Sequence, residues 1–372
     1  MSKARQLADL GNVYDDGALS NRNLIINGAM TVAQRGTSTT GVTGNGYNTV
    51  DRFKCNVNGL GTYTETQSTD APDGFSNSFK IECTTADSSP TASAYLIIDQ
   101  MIEAQNLQSL AYGTSSAKKT TLSFWVKSNV TGTYVVGLYA PDNNRGNGKT
   151  YTINTANTWE YKTLTFDGDT TDGINNDNGD GLRFWWILNQ GSDFEGGTQL
   201  DGVWEEYNSA NYAVNTTADV GNDVGDTFQL TGVQFEIGDT ATPFEHRSYS
   251  DQLQACRRYY HSIGTANYGG GYELLAHGFC DSTTSAIHFV HLPVQLRASP
   301  TLRTSGDYTK FYWRMPIGSP TTTTATGLPT IGQQGLNCVR FDCSGSSMTV
   351  GRGCFFSQNN DTTAYIAFDA EL

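Results

Sequence analysis

Apolar and polar residues alternate in short runs along this chain, and the clearest run spans residues 233–237. Its first, third and fifth residues are Val, Phe and Ile, with Gln234 and Glu236 between them. Because successive side chains of a strand point to opposite faces, this run predicts a strand with one buried face and one face in water. Gly238 and Pro243 predict where the strand ends.

Runs of the same kind fill residues 25–247 and are separated by turn-forming residues. We predict strands at 24–28, 51–55, 78–83, 94–98, 120–127, 132–139, 160–166, 182–188 and 226–230, the last leading into 233–237. About nine strands joined by loops rather than helices are typical of a two-sheet sandwich. The pattern therefore predicts an all-β fold for this part of the chain.

The rest of the chain divides into a connector and a second, smaller β-domain. Apolar residues at helical spacing, with a serine at position 248 or 250 to cap the first turn, predict a helical connector over residues 248–263. Residues 264–372 return to strand patterns, with a polar loop at 320–329. The strands predicted there are 272–279, 285–292, 311–315, 339–343 and 364–368.

Residues 1–24 form a short leader before the first predicted strand domain. Leu7 and Leu10 are three residues apart, so residues 2–10 are compatible with a helix of two turns. A helix of that length is not stable alone. We expect the leader to become ordered by docking on a partner through Leu7 and Leu10; a frayed terminus is the alternative.

The alternation also predicts which aromatic side chains leave the core. In the strands at 120–127, 132–139 and 182–188, it places Trp125, Tyr139 and Trp185 on the faces opposite the core. We expect these three rings to line the outer, concave face of one sheet. Sugars stack their apolar faces on such rings, while flanking polar groups bind the hydroxyls. The alternative is a packing surface covered by a loop or a neighbouring subunit.

Composition supports the all-β prediction and limits the partners. Charged residues make up 16% of the chain, against about 25% in an average soluble protein. The formal net charge of −14 argues against binding nucleic acid, which requires a cationic surface. It argues equally against binding anionic membranes by charge, and no run of about 18 apolar residues predicts insertion into a membrane.

The seven cysteines and the start of the chain indicate where the protein folds. Seven is an odd number, and no Cys-x-x-Cys pair occurs. Buried free thiols suit folding in a reducing bacterial cytoplasm better than a disulfide framework does. The first ten residues lack the apolar region of a signal peptide. We expect a protein that leaves the cell only by lysis.

A glycine-rich loop with five aspartates, residues 167–181, is the candidate metal site. Asp167, Asp169 and Asp172 provide hard oxygen ligands at spacings of two and three residues, with Gly173 next. They make structural calcium a candidate ligand, although the loop is no EF-hand because it has no glutamate at the twelfth position. Asp and Asn also form ordinary turns, so a solvated loop is the alternative.

No motif predicts catalysis. His288 and His291 are three residues apart on a predicted strand, which places the two rings on opposite faces and argues against a shared metal. There is no Gly-x-Ser-x-Gly elbow, no phosphate-binding loop and no dinucleotide fingerprint. Carboxylates that a glycosidase requires are available at 193, 195, 205 and 206, but spacing alone pairs none of them across a cleft. We expect no enzyme activity.

Several short motifs, in this order, resemble a module found in virion proteins of tailed bacteriophages. They are Asn23 to Gly36 (NLIINGAMTVAQRG), DRF at 51–53, LSFWVK at 122–127, GDTTDG at 168–173, GVQFEIG at 232–238, LPVQLRASPT at 292–301 and FDAEL at 368–372. The resemblance covers nearly all of the chain after the leader. It implies a jelly-roll, carbohydrate-binding-like fold for residues 25–247.

The resemblance also implies a place and a partner. A virion protein of this kind is assembled in the host cytoplasm, and fibre proteins of this type usually form trimers, which close heterologous interfaces by rotation. We expect a tail fibre or adhesin that docks on other virion proteins through residues 1–24 and binds glycans of the host envelope. The alternative is a decoration or fibre protein of the head or connector that binds no receptor.

Overall fold

The computed structural model describes residues 21–264, 273–315 and 321–372. The chain divides into two compact units at the junction of Gln252 and Leu253. We call the part before this junction the sandwich unit and residues 253–371 the C-terminal unit. Leu7 and Leu10, predicted to dock on a virion, lie outside the described residues.

The part of the sandwich unit that the structure describes contains twelve strands, against about nine predicted. They are β1 (Ser38–Val42), β2 (Phe53–Asn58), β3 (Thr62–Ser68), β4 (Ser78–Thr85), β5 (Tyr95–Glu103), β6 (Thr120–Ser128), β7 (Gly132–Ala140), β8 (Arg145–Ile153), β9 (Glu160–Phe166), β10 (Asp180–Gln190), β11 (Glu205–Glu206) and β12 (Thr227–Ile237). Short 3₁₀ turns lie at Ala104–Leu110, Pro141–Asn143, Ser192–Phe194 and Ser209–Asn211.

These strands form two antiparallel six-stranded sheets. Sheet 1 has the order β1-β3-β4-β12-β6-β9, and sheet 2 has the order β11-β8-β7-β10-β5-β2. Side chains from both sheets meet in one core, where Phe124 contacts Trp186 and Phe184 contacts Phe235, with ring centroids 5.9 and 4.7 Å apart. The inward residues predicted from β6, β7 and β10 are all buried there. The predicted all-β sandwich is confirmed.

The outward residues of β12 correct the sequence prediction. Gln234 and Glu236, expected to face water, are 0% and 2% exposed. The chain after β12 folds back over them: Thr242 donates its backbone N–H (2.9 Å) and its hydroxyl (2.6 Å) to the Glu236 carboxylate. The backbone N–H of Glu245 donates to Gln234 Oε1 over 2.8 Å. A covering segment therefore makes this strand buried on both faces.

Residues 21–24, assigned to the leader, belong to the sandwich unit. The backbone N–H groups of Asn21 and Asn23 donate to the Glu245 carboxylate, 2.7 and 2.9 Å away. The strand predicted at 24–28 is a bend and a turn instead. The physical reason is Gly28, where a Cβ would lie 2.0 Å from the carbonyl oxygen of Val233, so the chain turns against β12.

The C-terminal unit begins within helix α1 (Tyr249–Arg257) and is otherwise a β structure. Its strands are β13 (Tyr260–Ile263), β14 (Leu274–Cys280), β15 (Ser285–His291), β16 (Thr301–Thr304), β17 (Phe311–Met315), β18 (Thr321–Thr324), β19 (Thr330–Gln334), β20 (Cys338–Ser344), β21 (Gly353–Gln358) and β22 (Ile366–Asp369), with one 3₁₀ turn at Tyr308–Lys310. They form a three-stranded sheet, β13-β22-β16, and a seven-stranded sheet, β18-β17-β21-β14-β15-β20-β19.

Two predictions in this region need correction. The connector predicted as a helix over 248–263 is helical only at Tyr249–Arg257, and Tyr260–Ile263 pairs with β22 as a strand. Ser248 caps the helix, because its hydroxyl accepts from the backbone N–H of Asp251 over 3.2 Å. The predicted polar loop at 320–329 contains strand β18, which pairs with β17. Among the described residues, no helix is both long and apolar enough to cross a membrane.

Candidate ligand-binding cavity

The outer face of sheet 2 carries a row of chemically different side chains. The strand register places Lys54, Asp99, Trp185 and Gly137 side by side across β2, β5, β10 and β7. Neighbouring antiparallel residues in register share one face. The row therefore sets a cation, a carboxylate and an indole next to one another, with a glycine leaving space beside the indole.

Residues 191–213, which we call the wall segment, cross this face. The segment is fixed at its start, where the Gly191 N–H donates to the Ala94 carbonyl over 2.7 Å, and near its middle, where the Tyr207 N–H donates to the Asn144 carbonyl over 2.8 Å. Glu205–Glu206 adds a short edge strand, β11, to β8. These bonds hold the segment over the centre of the sheet.

Gly191 is required where the wall segment leaves β10. A Cβ at this position would lie 2.2 Å from the carbonyl oxygen of Thr91 and 2.3 Å from that of Ala92. Both atoms are backbone, so they cannot move aside as a flexible side chain can. Only glycine permits this close crossing, and the position of the wall depends on it.

Aromatic rings from the wall and the sheet form one cluster around Trp185. Tyr139 stacks on Trp185 with centroids 5.2 Å apart and planes 14° apart. Tyr212 lies 4.4 Å from Trp185 at 38°, and Tyr207 contacts Tyr139, Trp185 and Tyr212. Trp185 is accordingly only 9% exposed. A Cβ on Gly137 would already touch Trp185 and Tyr212 at 3.6 and 3.8 Å, so glycine leaves room for both rings.

Between this cluster and strand β2 lies a cavity of about 260 Å³. Its aromatic side is formed by rings that are partly exposed, and its polar side by residues of the sheet. The lining residues are Asn45, Lys54, Asn56, Tyr95, Ile97, Asp99, Arg183, Trp185, Ile187, Gln190, Phe194, Tyr207, Tyr212 and Ala213. An apolar wall facing a few fixed polar groups is the usual composition of a small-molecule site.

Asp99 is the buried charge of the cavity. Burial raises the pKa of its carboxyl to about 6, although the nearby charges of Arg183 and Lys54 lower it in part. Asn56 donates Nδ2–H to Asp99 Oδ2 over 3.2 Å. Asp99 Oδ1 has no hydrogen-bond partner among the described residues, and neither has Asn56 Oδ1 or Gln190 Oε1. These three side chains are 2%, 8% and 8% exposed.

Arg183 closes one end of the polar side. Its Nε–H group donates to Asp180 Oδ2, and its guanidinium lies 6.0 Å from the centroid of the Tyr139 ring. Lys54 Nζ lies 5.9 Å from the centroid of the Tyr47 ring. Contact with an aromatic ring stabilises a cation and also orients it. Both cations are thereby positioned beside the Asp99 carboxylate.

The structure separates the three aromatic residues predicted to share one face. Trp125 lies on β6 of sheet 1, where its ring packs against Tyr161 with centroids 5.3 Å apart. Tyr139 and Trp185 lie on sheet 2, as a stacked pair. The prediction of one common face was wrong for Trp125, because alternation shows which side of a strand a residue takes but not which sheet the strand joins.

Tyr139 and Trp185 are also more enclosed than the sequence predicted. Tyr139 does not line the cavity, and Trp185 contributes to its lining while its ring lies between two tyrosines. The partly exposed rings at the cavity are Tyr95, Phe194, Tyr207 and Tyr212. Sequence reasoning missed these four. Three of them lie in the irregular wall segment, where no periodic pattern assigns a face; their density within twenty residues was the available signal.

The aspartate loop is organised by ion pairs. Arg145 donates to both oxygens of Asp169, over 2.8 and 3.0 Å, and lies 3.8 Å from Asp172. Lys119 Nζ lies 2.6 Å from Asp167. In the described part of the chain, no group of three or more His, Cys, Asp or Glu side chains is arranged to hold a metal ion. The carboxylates predicted as calcium ligands are thus directed to cationic side chains.

The histidine and cysteine predictions agree with the structure. His288 is buried and His291 is exposed, as expected for opposite faces of β15. All seven cysteines are free thiols, and six of them are buried. The carboxylates at 193, 195, 205 and 206 are all exposed and lie on the wall segment.

Comparison with known proteins gives only distant likenesses. No family model matches the sequence, and no curated protein matches it. Among solved structures, the enzymatically active domain of tailspike protein 4 of bacteriophage CBA120 is similar over 58% of this chain, at 14% identity and a TM-score of 0.29. The chain spans 22% of the length of that domain.

Carbohydrate-binding modules give likenesses of the same order. TmCBM61 in complex with β-1,4-galactotriose matches 59% of this chain and 100% of its own, at 7% identity and a TM-score of 0.28. The family 11 carbohydrate-binding module of a cellulosomal cellulase of Clostridium thermocellum matches 56% of this chain and 99% of its own, at 13% identity and a TM-score of 0.27. At such TM-scores, these likenesses carry no argument about what this chain binds.

Proposed function

We propose that this chain is a glycan-binding protein of a bacteriophage particle and that the glycan occupies the cavity on sheet 2. The observation that carries the proposal is the cavity itself, in which partly exposed aromatic rings face buried polar groups. Rings bind the apolar faces of sugars, and fixed polar groups bind their hydroxyls.

The size and composition of the cavity favour a sugar over other small ligands. Its volume of about 260 Å³ is just below the usual range for drug-sized ligands, roughly 300–1,000 Å³, and suits one or two sugar rings. Tyr95 and Phe194 form an edge-to-face pair with centroids 6.1 Å apart, and Tyr212 continues this wall. Lys54 and Asp99 supply the opposite, polar side.

The biological setting rests on the sequence resemblance to phage virion modules. We propose a tail fibre or adhesin that is assembled in the host cytoplasm, docks on the virion through the part of the leader before residue 21, forms a homotrimer and binds glycans of the host envelope. Binding, and not turnover, is the proposed activity. A screen that detects cleavage of envelope polysaccharides by the purified protein would contradict this last part.

A glycan array with the full-length protein tests the binding. Tyr95→Ala and Phe194→Ala remove partly exposed rings of the cavity, and we expect each to weaken binding about two- to twelvefold, since stacked rings contribute about 0.5–1.5 kcal/mol each. Tyr161→Ala is the matched control, because it removes an exposed ring on sheet 1. Equal loss in all three variants, or binding unchanged by the cavity variants, contradicts the assignment of the site.

One observation favours the second candidate, a decoration protein of the head or connector. The aromatic residues expected to bind sugar are largely covered by the chain, with Trp185 only 9% exposed, as in a packing surface. Antibody-gold labelling of intact particles distinguishes the two. We expect label at the tail or its fibres, whereas label over the head supports decoration.

A further inference from the structure

We infer that the cavity on sheet 2 binds a neutral sugar through the hydrogens of its hydroxyl groups, and that it discriminates against sugars bearing a carboxylate or an ammonium group. This inference rests on the proposed glycan binding and specifies its ligand. Two observations carry it, the partnerless oxygens of the cavity and the balance of charge around them.

The first observation is that three buried acceptors at the cavity are left without a hydrogen-bond partner by the described residues. Asp99 Oδ1, Asn56 Oδ1 and Gln190 Oε1 lack hydrogen-bond partners among the described residues, and all three side chains line the cavity. A buried acceptor without a partner destabilises the folded protein. A ligand that donates to these oxygens recovers the free energy lost, so the site favours a ligand rich in O–H groups.

The acceptors lie at two places along the sheet: Asn56 and Asp99 are hydrogen-bonded to each other, and Gln190 lies further along. On β5, Asp99 and Tyr95 are four residues apart, about 14 Å at the usual rise per residue. Asn56 is opposite Ile97 between them, and Gln190 is opposite Tyr95. A register shift between Ile187 and Asn189 returns Gln190 to the outer face. Donors must therefore be distributed over the ligand, as the hydroxyls of a sugar are.

The second observation is that the charges at the cavity already cancel. Lys54 and Arg183 are the cations, Asp99 is the buried carboxylate, and Asp180 is paired with Arg183. A uronic acid would bring a second carboxylate towards Asp99, and an amino sugar would bring a third cation towards Lys54 and Arg183. Like charges in a site of low dielectric repel strongly. A neutral ligand avoids both costs and still accepts hydrogen bonds from the two cations.

The test is an array on which each neutral oligosaccharide is printed beside its uronate and free-amine counterparts of the same linkage. We expect the neutral member of a bound set to be retained at least tenfold more strongly than either charged member. Equal or stronger binding of the uronates or amines overturns the inference and leaves glycan binding intact. Binding to no member of any set overturns the proposed function and the inference with it.

Two variants connect the selectivity to the named oxygens. Gln190→Met removes one acceptor at nearly constant length, and we expect the affinity for the neutral sugar to fall three- to tenfold. Asp99→Asn removes the negative charge, so we expect binding of the uronate to improve relative to the neutral sugar. Asn58→Ala is the control: it changes an exposed residue of β2 that does not line the cavity. Unchanged selectivity in Asp99→Asn contradicts the inference.

Discussion

The outer faces of the two sandwich sheets both bury polar side chains, but the chain provides hydrogen-bond partners for these side chains to different extents. On sheet 1, Gln229, Gln234 and Glu236 are at most 5% exposed, and the oxygens and nitrogens of their side chains have partners in the chain. On sheet 2, Asp99 and Gln190 are almost as buried, yet each has an oxygen without a partner. The chain supplies hydrogen-bond partners for the polar side chains of the first face, and it leaves these two oxygens of the second face without partners.

The covering segments explain the difference. Over sheet 1 the chain after β12 lies directly on the strand and supplies backbone and hydroxyl donors, as Thr242 does for Glu236. Over sheet 2 the wall segment supplies aromatic rings, which pack on Trp185 and leave a cavity beside them. Buried polar groups are normally hydrogen-bonded, so those that are not require an explanation.

The sharpest way to test this contrast is to remove an acceptor that the fold itself uses. Glu236→Leu leaves the backbone N–H and the hydroxyl of Thr242 without their acceptor and removes one of the acceptors of Gln234 Nε2. We expect a loss of about 3 kcal/mol in the free energy of unfolding of the sandwich unit. Urea denaturation followed by hydrogen exchange of sandwich peptides measures it. Glu82→Leu on the same sheet is the control, since its carboxylate is 42% exposed and paired with Lys80; a similar loss there would contradict the argument.

The position of the wall segment over sheet 2 can be tested by adding a side-chain atom at Gly191, where the segment passes close to the backbone of Thr91 and Ala92. Gly191→Ala places a Cβ against two backbone carbonyls, and we expect it to cost roughly 2 kcal/mol and to weaken glycan binding, because the segment that carries Phe194 must shift. Gly196→Ala, in the same segment, is the matched control: a Cβ there meets no atom within 4 Å. Glycan affinity and urea midpoints that are the same in both variants would show that the wall tolerates displacement.

The strand residues that face the core were predicted well from the sequence, because alternation along a single strand is a local signal. Phe184 and Trp186 alternate with Trp185 on a single strand, and their burial follows from that period. Strands with weak patterns were missed: β8 (Arg145–Ile153) contains two glycines and few apolar residues, and β3 (Thr62–Ser68) is mostly polar.

The candidate site was beyond local reasoning. Trp125 and Trp185 have the same kind of pattern, but which sheet each strand joins depends on pairings between distant residues. Tyr207 and Tyr212 lie in an irregular segment whose position is set by backbone contacts such as that of Gly191. Asp99 lies in a nearly continuous apolar run. The alternation of apolar and polar residues therefore gave no indication that its side chain is buried. Contacts between residues distant in the sequence determine all three features: the sheet that each strand joins, the position of the two tyrosines and the burial of Asp99.

A third prediction concerns the cost of leaving Asp99 unsatisfied. Its pKa is raised to about 6 in the folded protein, against about 3.9 when unfolded. Above pH 6 the folded state therefore holds a disfavoured charge, and this cost disappears as the pH falls towards 4. We expect Asp99→Asn to stabilise the sandwich unit by roughly 3 kcal/mol at pH 7 and not at pH 4.

Hydrogen exchange of β5 and β10 peptides at the two pH values measures this difference. Asp73→Asn, an exposed aspartate of the same unit, is the control and should change neither value. A loss of stability at pH 7 in Asp99→Asn would mean that the fold uses this carboxylate as it uses Glu236, and the contrast between the two faces would not hold.

His288 in the C-terminal unit tests whether a partnerless atom alone marks a ligand site. Its Nδ1 has no partner among the described residues, but the ring is fully buried between Phe341 and Phe356, with centroids 5.4 and 5.5 Å away, and Nε2 lies 3.5 Å from Cys354 Sγ. Burial, aided by the charge of His277, lowers the pKa of His288 to about 3. Here the atom without a partner faces packed rings. We therefore expect His288 to destabilise the C-terminal unit at low pH, and we expect no ligand to bind at its ring.

The sign of the pH effect is then opposite to that of Asp99. Below pH 6.5, His288 binds a proton in the unfolded chain but remains neutral in the folded chain. The free energy of unfolding of the C-terminal unit therefore decreases by roughly 1 kcal/mol each time the pH is lowered by one. His288→Phe should remove this dependence, and His291→Phe, which changes an exposed ring of the same strand, should not. If His288→Phe leaves the acid sensitivity of the C-terminal peptides unchanged, the buried ring is not its source. A partnerless atom marks a site only where, as at Asp99, it also lines a cavity.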